Sequence, residues 1–130
     1  METFDTNVLV RLLVTGDPSE CDRAERAWRS ALARDGVYIP IVVLVEVTRV
    51  LRLAYTFDRH TIVDALRRLC SSQRVRIENE AIVLAALRQF EHGSADFSDY
   101  IILETGRRAV ALPVRTFNEQ LAKSTNVTLV

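Results

Sequence analysis

Phe4-Asp5-Thr6-Asn7-Val8-Leu9 runs from an apolar residue through a carboxylate into the first turn of a helix. A short strand that ends in an acid and passes straight into a helix is the entry to an α/β unit. The same alternation continues outward from it to the last residue. Apolar spacing predicts strands at 3–4, 37–39, 75–77, 111–115 and 127–129. Between them it predicts helices at 7–14, from the Gly16-Asp17-Pro18-Ser19 turn to Arg34, at 41–54, from Asp58 to Leu69, at 80–90, at 97–108 and, briefly, at 117–122. Strands alternating with helices imply an α/β fold with a mainly parallel sheet, its ligand site beyond the strands' carboxyl ends.

A chain of 130 residues reads as a single domain, 1–130, with one core. Hydrophobic residues make up 48% and charged residues 26%, which excludes disorder as the main state. No apolar run approaches the roughly 20 residues that a membrane span needs. The run Val8 to Val14 contains Arg11 and has neither a basic region before it nor a small-residue cleavage site, so it does not read as a signal peptide. Cytoplasmic location is the expectation. Seventeen basic residues balance seventeen acidic ones, so no overall basic field advertises nucleic acid. All the cations except Lys123 are arginines, suited to two-point contacts with phosphate, although a GC-rich genome gives the same bias. Cys21 and Cys70 lack metal or redox spacing, and His60 and His92 stand apart from the acids.

The acids are the informative residues. Asp5 falls at the carboxyl end of the first strand, and Thr116-Phe117-Asn118 takes the equivalent place after a later one. Asp96 and Asp99 fall at a helix start, where free amides favour an anion. Glu46 sits in a dense apolar run and is expected on a largely buried helix, sharing a face with Val42, Val43 and Val50. Each acid has a local explanation: Asp96 and Asp5 as helix caps, Glu46 paired with Arg49 or Arg52. Convergence would need more. Two carboxylates about 4 Å apart repel by about 4 kcal/mol at an effective dielectric near 20. A cluster of three either raises its pKa values or holds a cation.

Four segments in order resemble the motifs of the PIN-domain ribonuclease family: Phe4 to Leu9, Glu46-Val47, Ala95-Asp96-Phe97-Ser98-Asp99-Tyr100-Ile101, and Val114-Arg115-Thr116-Phe117-Asn118. By size and order the chain is most similar to VapC toxins of bacterial toxin–antitoxin pairs. The resemblance implies a three-layer α/β/α sandwich with a mainly parallel central sheet and a Mg²⁺- or Mn²⁺-dependent endoribonuclease. Asp5, Glu46 and Asp99 match the family's metal-binding acids, and Asp96 a frequent additional one. All four are the catalytic candidates. Asn7, Thr116 and Asn118 match supporting positions, but the family commonly has aspartate where Asn118 stands. That loss of charge favours one metal ion over two.

On this reading a metal-activated water attacks an RNA phosphodiester, with Glu46 or Asp96 orienting or deprotonating it. Arg11, Arg49 and Arg115, near the acids in sequence, are the candidates for guiding RNA. The resemblance also implies a homodimer and a cognate VapB-like antitoxin that inserts a basic side chain at the acidic site. A catalytically weakened PIN-like module that binds RNA or protein is the main alternative, prompted by Asn118. A haloacid-dehalogenase-type phosphatase with Asp5 as nucleophile fits less well, because its second aspartate would fall at Asn7.

Overall fold

Carboxylates and prolines mark where the helices start. In the computed structural model, which describes residues 1–130, Asp5, Asp17 and Asp58 each precede a helix and accept a backbone N–H of its first turn. Pro18 occupies the first turn of its helix, where a missing N–H costs nothing, and Pro40 stands just before another. Strand β1 spans Glu2–Thr3, α1 Thr6–Leu13, α2 Pro18–Ala33, β2 Val37–Ile39, α3 Ile41–Leu53, α4 Arg59–Ser71 and β3 Val75–Ile77. Then come α5 over Glu80–His92, α6 over Phe97–Arg108, β4 over Val114–Thr116, a 3₁₀ turn at Leu121–Lys123 and β5 over Val127–Leu129. The fold is mixed α/β, and every strand pair in it is parallel. No helix is long and apolar enough to cross a membrane.

The chain forms two compact units, Met1–Glu78 and Asn79–Val130. In the first, β1, β2 and β3 make a sheet in that order, with Glu2 opposite Val37 and Val37 opposite Val75. Val37 and Ile39 of the middle strand are wholly buried, as are Leu9, Leu44, Leu51 and Leu66 from the helices. Gly36 ends the α2 turn at φ +93°, and a Cβ there would collide with the Arg74 carbonyl. That carbonyl accepts the Val37 N–H at 2.8 Å, so only glycine lets the strands close at this corner.

In the second unit β4 pairs with β5, Val114 opposite Val127 and Thr116 opposite Leu129. Helices α5 and α6 pack through Phe90 and Phe97, edge to face at 6.2 Å, both at most 1% exposed. Glu104, also buried, accepts Gln89 Nε2 at 2.7 Å and lies 3.3 Å from Arg107 Nε, so its charge is held by partners on both helices.

Most element boundaries match the sequence expectation, with three exceptions. The strand expected from 111 begins only at Val114, because Pro113 has no N–H to give to a ladder. The helix expected at 117–122 is reduced to the 3₁₀ turn. Helix α3 is not largely buried: Val43, Leu44, Val47 and Leu51 face the core, whereas Val42, Glu46, Arg49 and Leu53 form an exposed stripe. Dense apolarity hid an ordinary amphipathic helix.

The cap at α4 gives a pH-dependent expectation. Asp58 accepts the Thr61 N–H at 2.8 Å, and this bond holds its carboxyl below the usual value of 3.8. A lowered folded-state pKa stabilises above the unfolded value and loses that contribution as pH falls through the folded one. Asp58→Asn keeps a capping oxygen but cannot titrate. Thermal melts taken from neutral pH to below 3.8 should show a shallower acid decline in the variant. Superimposable declines would remove Asp58 from the acid response.

Candidate active site

Asp5 follows β1 by one residue beyond Phe4 and caps α1, its Oδ1 accepting the Val8 N–H at 3.3 Å. The next residue, Thr6, donates its hydroxyl to Glu46 Oε2 at 3.1 Å, tying the start of α1 to α3 across 40 positions. The first unit therefore bonds Glu46 to the residue that follows Asp5. Both acids are exposed, which corrects the expectation of a carboxylate projecting from a buried apolar stripe at Glu46. Solvent rather than burial surrounds these two groups. Asn7 is exposed and its side chain makes no hydrogen bond. Arg11 lies half-buried with its Nε 3.5 Å from Glu20 of α2 and no hydrogen-bond partner there. Arg49 is exposed, one helical turn beyond Glu46.

The second unit assembles the other candidates. Asp96 and Asp99 form a reciprocal capping box at the start of α6: each side chain accepts the other's backbone N–H. Asp99 Oδ2 takes the Asp96 N–H at 3.0 Å and Asn118 Nδ2 at 3.2 Å. Asn118 has no choice of orientation. Its Oδ1 accepts the N–H groups of Gln120 at 2.8 Å and Leu121 at 3.2 Å, so the amide nitrogen must face Asp99. Thr116 Oγ1 accepts the Asn118 N–H at 2.9 Å. Four residues expected from the sequence, Asp96, Asp99, Thr116 and Asn118, thus share one hydrogen-bonded cluster. Arg115 is exposed beside it on β4.

The loop before α6 is held by Tyr100, whose hydroxyl accepts the Ala95 N–H at 3.3 Å. The hydroxyl lies where a Cβ at Gly93 would be, so glycine is required for Tyr100 to reach back to Ala95, the residue before Asp96. Thr6 and Phe117 were not singled out by the sequence. The only signal for Thr6 was a hydroxyl directly after the first acid. Phe117 stands in the fourth motif with no role assigned to it, and it is 81% exposed.

None of Asp5, Glu46 and Asp99 is ion-paired with a lysine or arginine, and each keeps one carboxylate oxygen clear of hydrogen bonds. Neither unit by itself gathers three His, Cys, Asp or Glu side chains into a metal-holding group.

An α/β chain that carries carboxylates such as Asp5 and Asp99 at a strand end and a helix start, neither of them ion-paired, is a candidate for phosphate chemistry. Residues 3–125 match the sequence profile of the PIN domain, and the chain belongs to the PIN-domain family. Among solved structures it is similar to VapC20 of Mycobacterium tuberculosis, described as a Sarcin-Ricin loop cleaving toxin. Identity is 18%, coverage 98% of this chain and 97% of the other, and the TM-score 0.47. No curated protein matches in sequence. Family membership rests on the profile match.

Proposed function

We propose that this chain is an RNA-cleaving hydrolase of the VapC toxin type, a Mg²⁺- or Mn²⁺-dependent endoribonuclease restrained by a cognate VapB-like antitoxin. The observation that carries the reading is the PIN-domain match over residues 3–125, which takes in all four motifs in order, three of them acidic. Donor chemistry supports it: Asp5, Glu46 and Asp99 offer hard oxygen ligands, the kind these ions prefer, and no cation of the protein neutralises them.

In this reading Asp5, Asp99 and Glu46, the acids that match the family's metal-binding positions, are the residues that would hold the ion. When bound, the ion makes a water more acidic and offsets charge on the phosphate. Glu46 or Asp96 orients the attacking water and takes its proton. Asp99 is kept in place by the Asp96 N–H and the Asn118 amide. Asn118 contributes no ligand oxygen, because its carbonyl is engaged by two backbone N–H groups, and this favours a single ion. Arg11, Arg49 and Arg115 guide the RNA backbone, Arg11 after release from Glu20. A homodimer in the cytoplasm completes the proposal.

One observation favours a second reading, a PIN-like module that binds RNA or protein but cuts poorly. A neutral amide donates to Asp99 where the family commonly has an acid. Labelled structured RNA incubated with Mg²⁺, Mn²⁺ or EDTA separates the two. The nuclease reading expects ion-dependent cutting by the unaltered protein. Cutting that persists in EDTA would overturn metal dependence. An inert protein whose Asn118→Asp variant cuts would establish the binding module instead.

A further inference from the structure

Phe117 is 81% exposed, yet the backbone on both sides of it is fixed. Thr116 O accepts the Val130 N–H at 2.8 Å, Thr116 Oγ1 accepts the Asn118 N–H, and the Asn118 side chain holds two further N–H groups and Asp99. The ring is therefore presented to solvent from a rigid mount, one residue from a side chain that touches a candidate catalytic acid. Two residues earlier, Arg115 is exposed and has no carboxylate partner. Single-stranded RNA is bound by this pairing of groups: an aromatic face for a base and a guanidinium for the adjoining phosphate.

We propose that Phe117 is a stacking platform for one unpaired base of the RNA, with Arg115 holding the neighbouring phosphate. The inference rests on the RNA ligand of the proposed function, not on its cleavage, and gives Phe117 a role that its motif leaves unassigned. Fixed placement matters because a ring already ordered loses little freedom when a base covers it. Stacking alone is tolerant of base identity, so the contact would place the strand against Asp96 and Asp99 without dictating sequence.

The test is equilibrium binding of a fluorescent single-stranded RNA in EDTA, where metal-dependent cutting cannot interfere. Phe117→Ala should weaken binding about tenfold or more, since stacking of one base on an aromatic ring is worth that much. Phe117→Leu should weaken it similarly and Phe117→Tyr should restore it, because stacking needs a π face rather than apolar bulk. An RNA with one abasic position should lose its sensitivity to Phe117→Ala at that position alone. Arg115→Ala should lower the slope of log affinity against log salt by about 0.7, one phosphate contact on a single strand, while Phe117→Ala leaves it unchanged.

Wild-type affinity in Phe117→Leu would overturn the stacking assignment. So would unchanged RNA binding in Phe117→Ala accompanied by loss of a dimer in light scattering, which would give the ring, with exposed Leu129 and Val130, to a protein surface. Because cutting is not read, a protein that binds RNA through Phe117 yet never cleaves it would refute the nuclease and leave this inference standing.

Discussion

On the proposed function, Asp99→Asn should lower metal-dependent RNA cleavage by about a hundredfold or more, the scale of losing a metal ligand or proton-transfer group. The substitution is unusually clean here. Asp99 Oδ2 accepts two N–H donors, from Asp96 and from Asn118, and an asparagine oxygen in the same place accepts both. Only the charge and the free second oxygen are lost. The carboxylate also faces the amino end of α6, so its removal costs about 0.3–1 kcal/mol of stability through the helix dipole. A fall in melting temperature of only a few degrees should therefore accompany the loss of cleavage. Initial rates in Mn²⁺, with Mn²⁺ binding followed by calorimetry, check both halves. A variant that cuts and binds Mn²⁺ like the unaltered protein would remove Asp99 from the site.

Phe97→Ala should destabilise the protein by about 3–5 kcal/mol, as emptying a buried phenyl position generally does. Phe97 is 1% exposed, meets Phe90 edge to face and is the first residue of α6. Its loss opens a cavity between α5 and α6 and removes the anchor beside Asp96 and Asp99. Since whole domains are stable by only about 5–15 kcal/mol, the melting temperature should fall by roughly 10–15 °C. Cleavage should fall with it even well below the melting point, because the capping box is mounted on that first turn. Phe97→Leu refills most of the space and should recover most of both. Denaturant melts with parallel rate measurements decide; a small stability loss in Phe97→Ala would mean that neighbouring side chains collapse into the gap.

The two variants separate two roles within one helical turn. On the proposed function, Asp99 contributes charge with little structural consequence, and Phe97 contributes position with no chemistry. A mutant scan that recorded activity alone would confuse them. Melting temperature distinguishes them because a half-buried carboxylate at a helix start is worth far less to the fold than a fully buried ring.

Periodicity alone located most of the helices. Ile82, Val83, Leu87 and Phe90 of α5 repeat at helical spacing and all are buried. Asp5 and Asp58 fell just before their helices, and each makes the capping bond that such a placement implies. These successes share a cause: capping and amphipathic spacing act between residues three or four apart, so a linear reading contains them. The failure at α3 shows the limit. Val42 and Leu53 are as apolar as their neighbours yet 60% and 66% exposed, and composition cannot say which side of a helix the core lies on.

What the chain of residues determined by itself was the α/β pattern, the parallel pairing and the stations of the acids at strand ends and helix starts. What only the tertiary structure decided were contacts between segments far apart. Thr6 reaches Glu46 across 40 positions and Asn118 reaches Asp99 across 19, and both depend on which faces of which helices and strands come to adjoin. It also decided that the Asn118 amide braces an acid rather than offering an oxygen, and that Phe117 points to solvent. Backbone hydrogen bonding and helical spacing are local, whereas the direction of a side chain at a junction is set by everything packed around it.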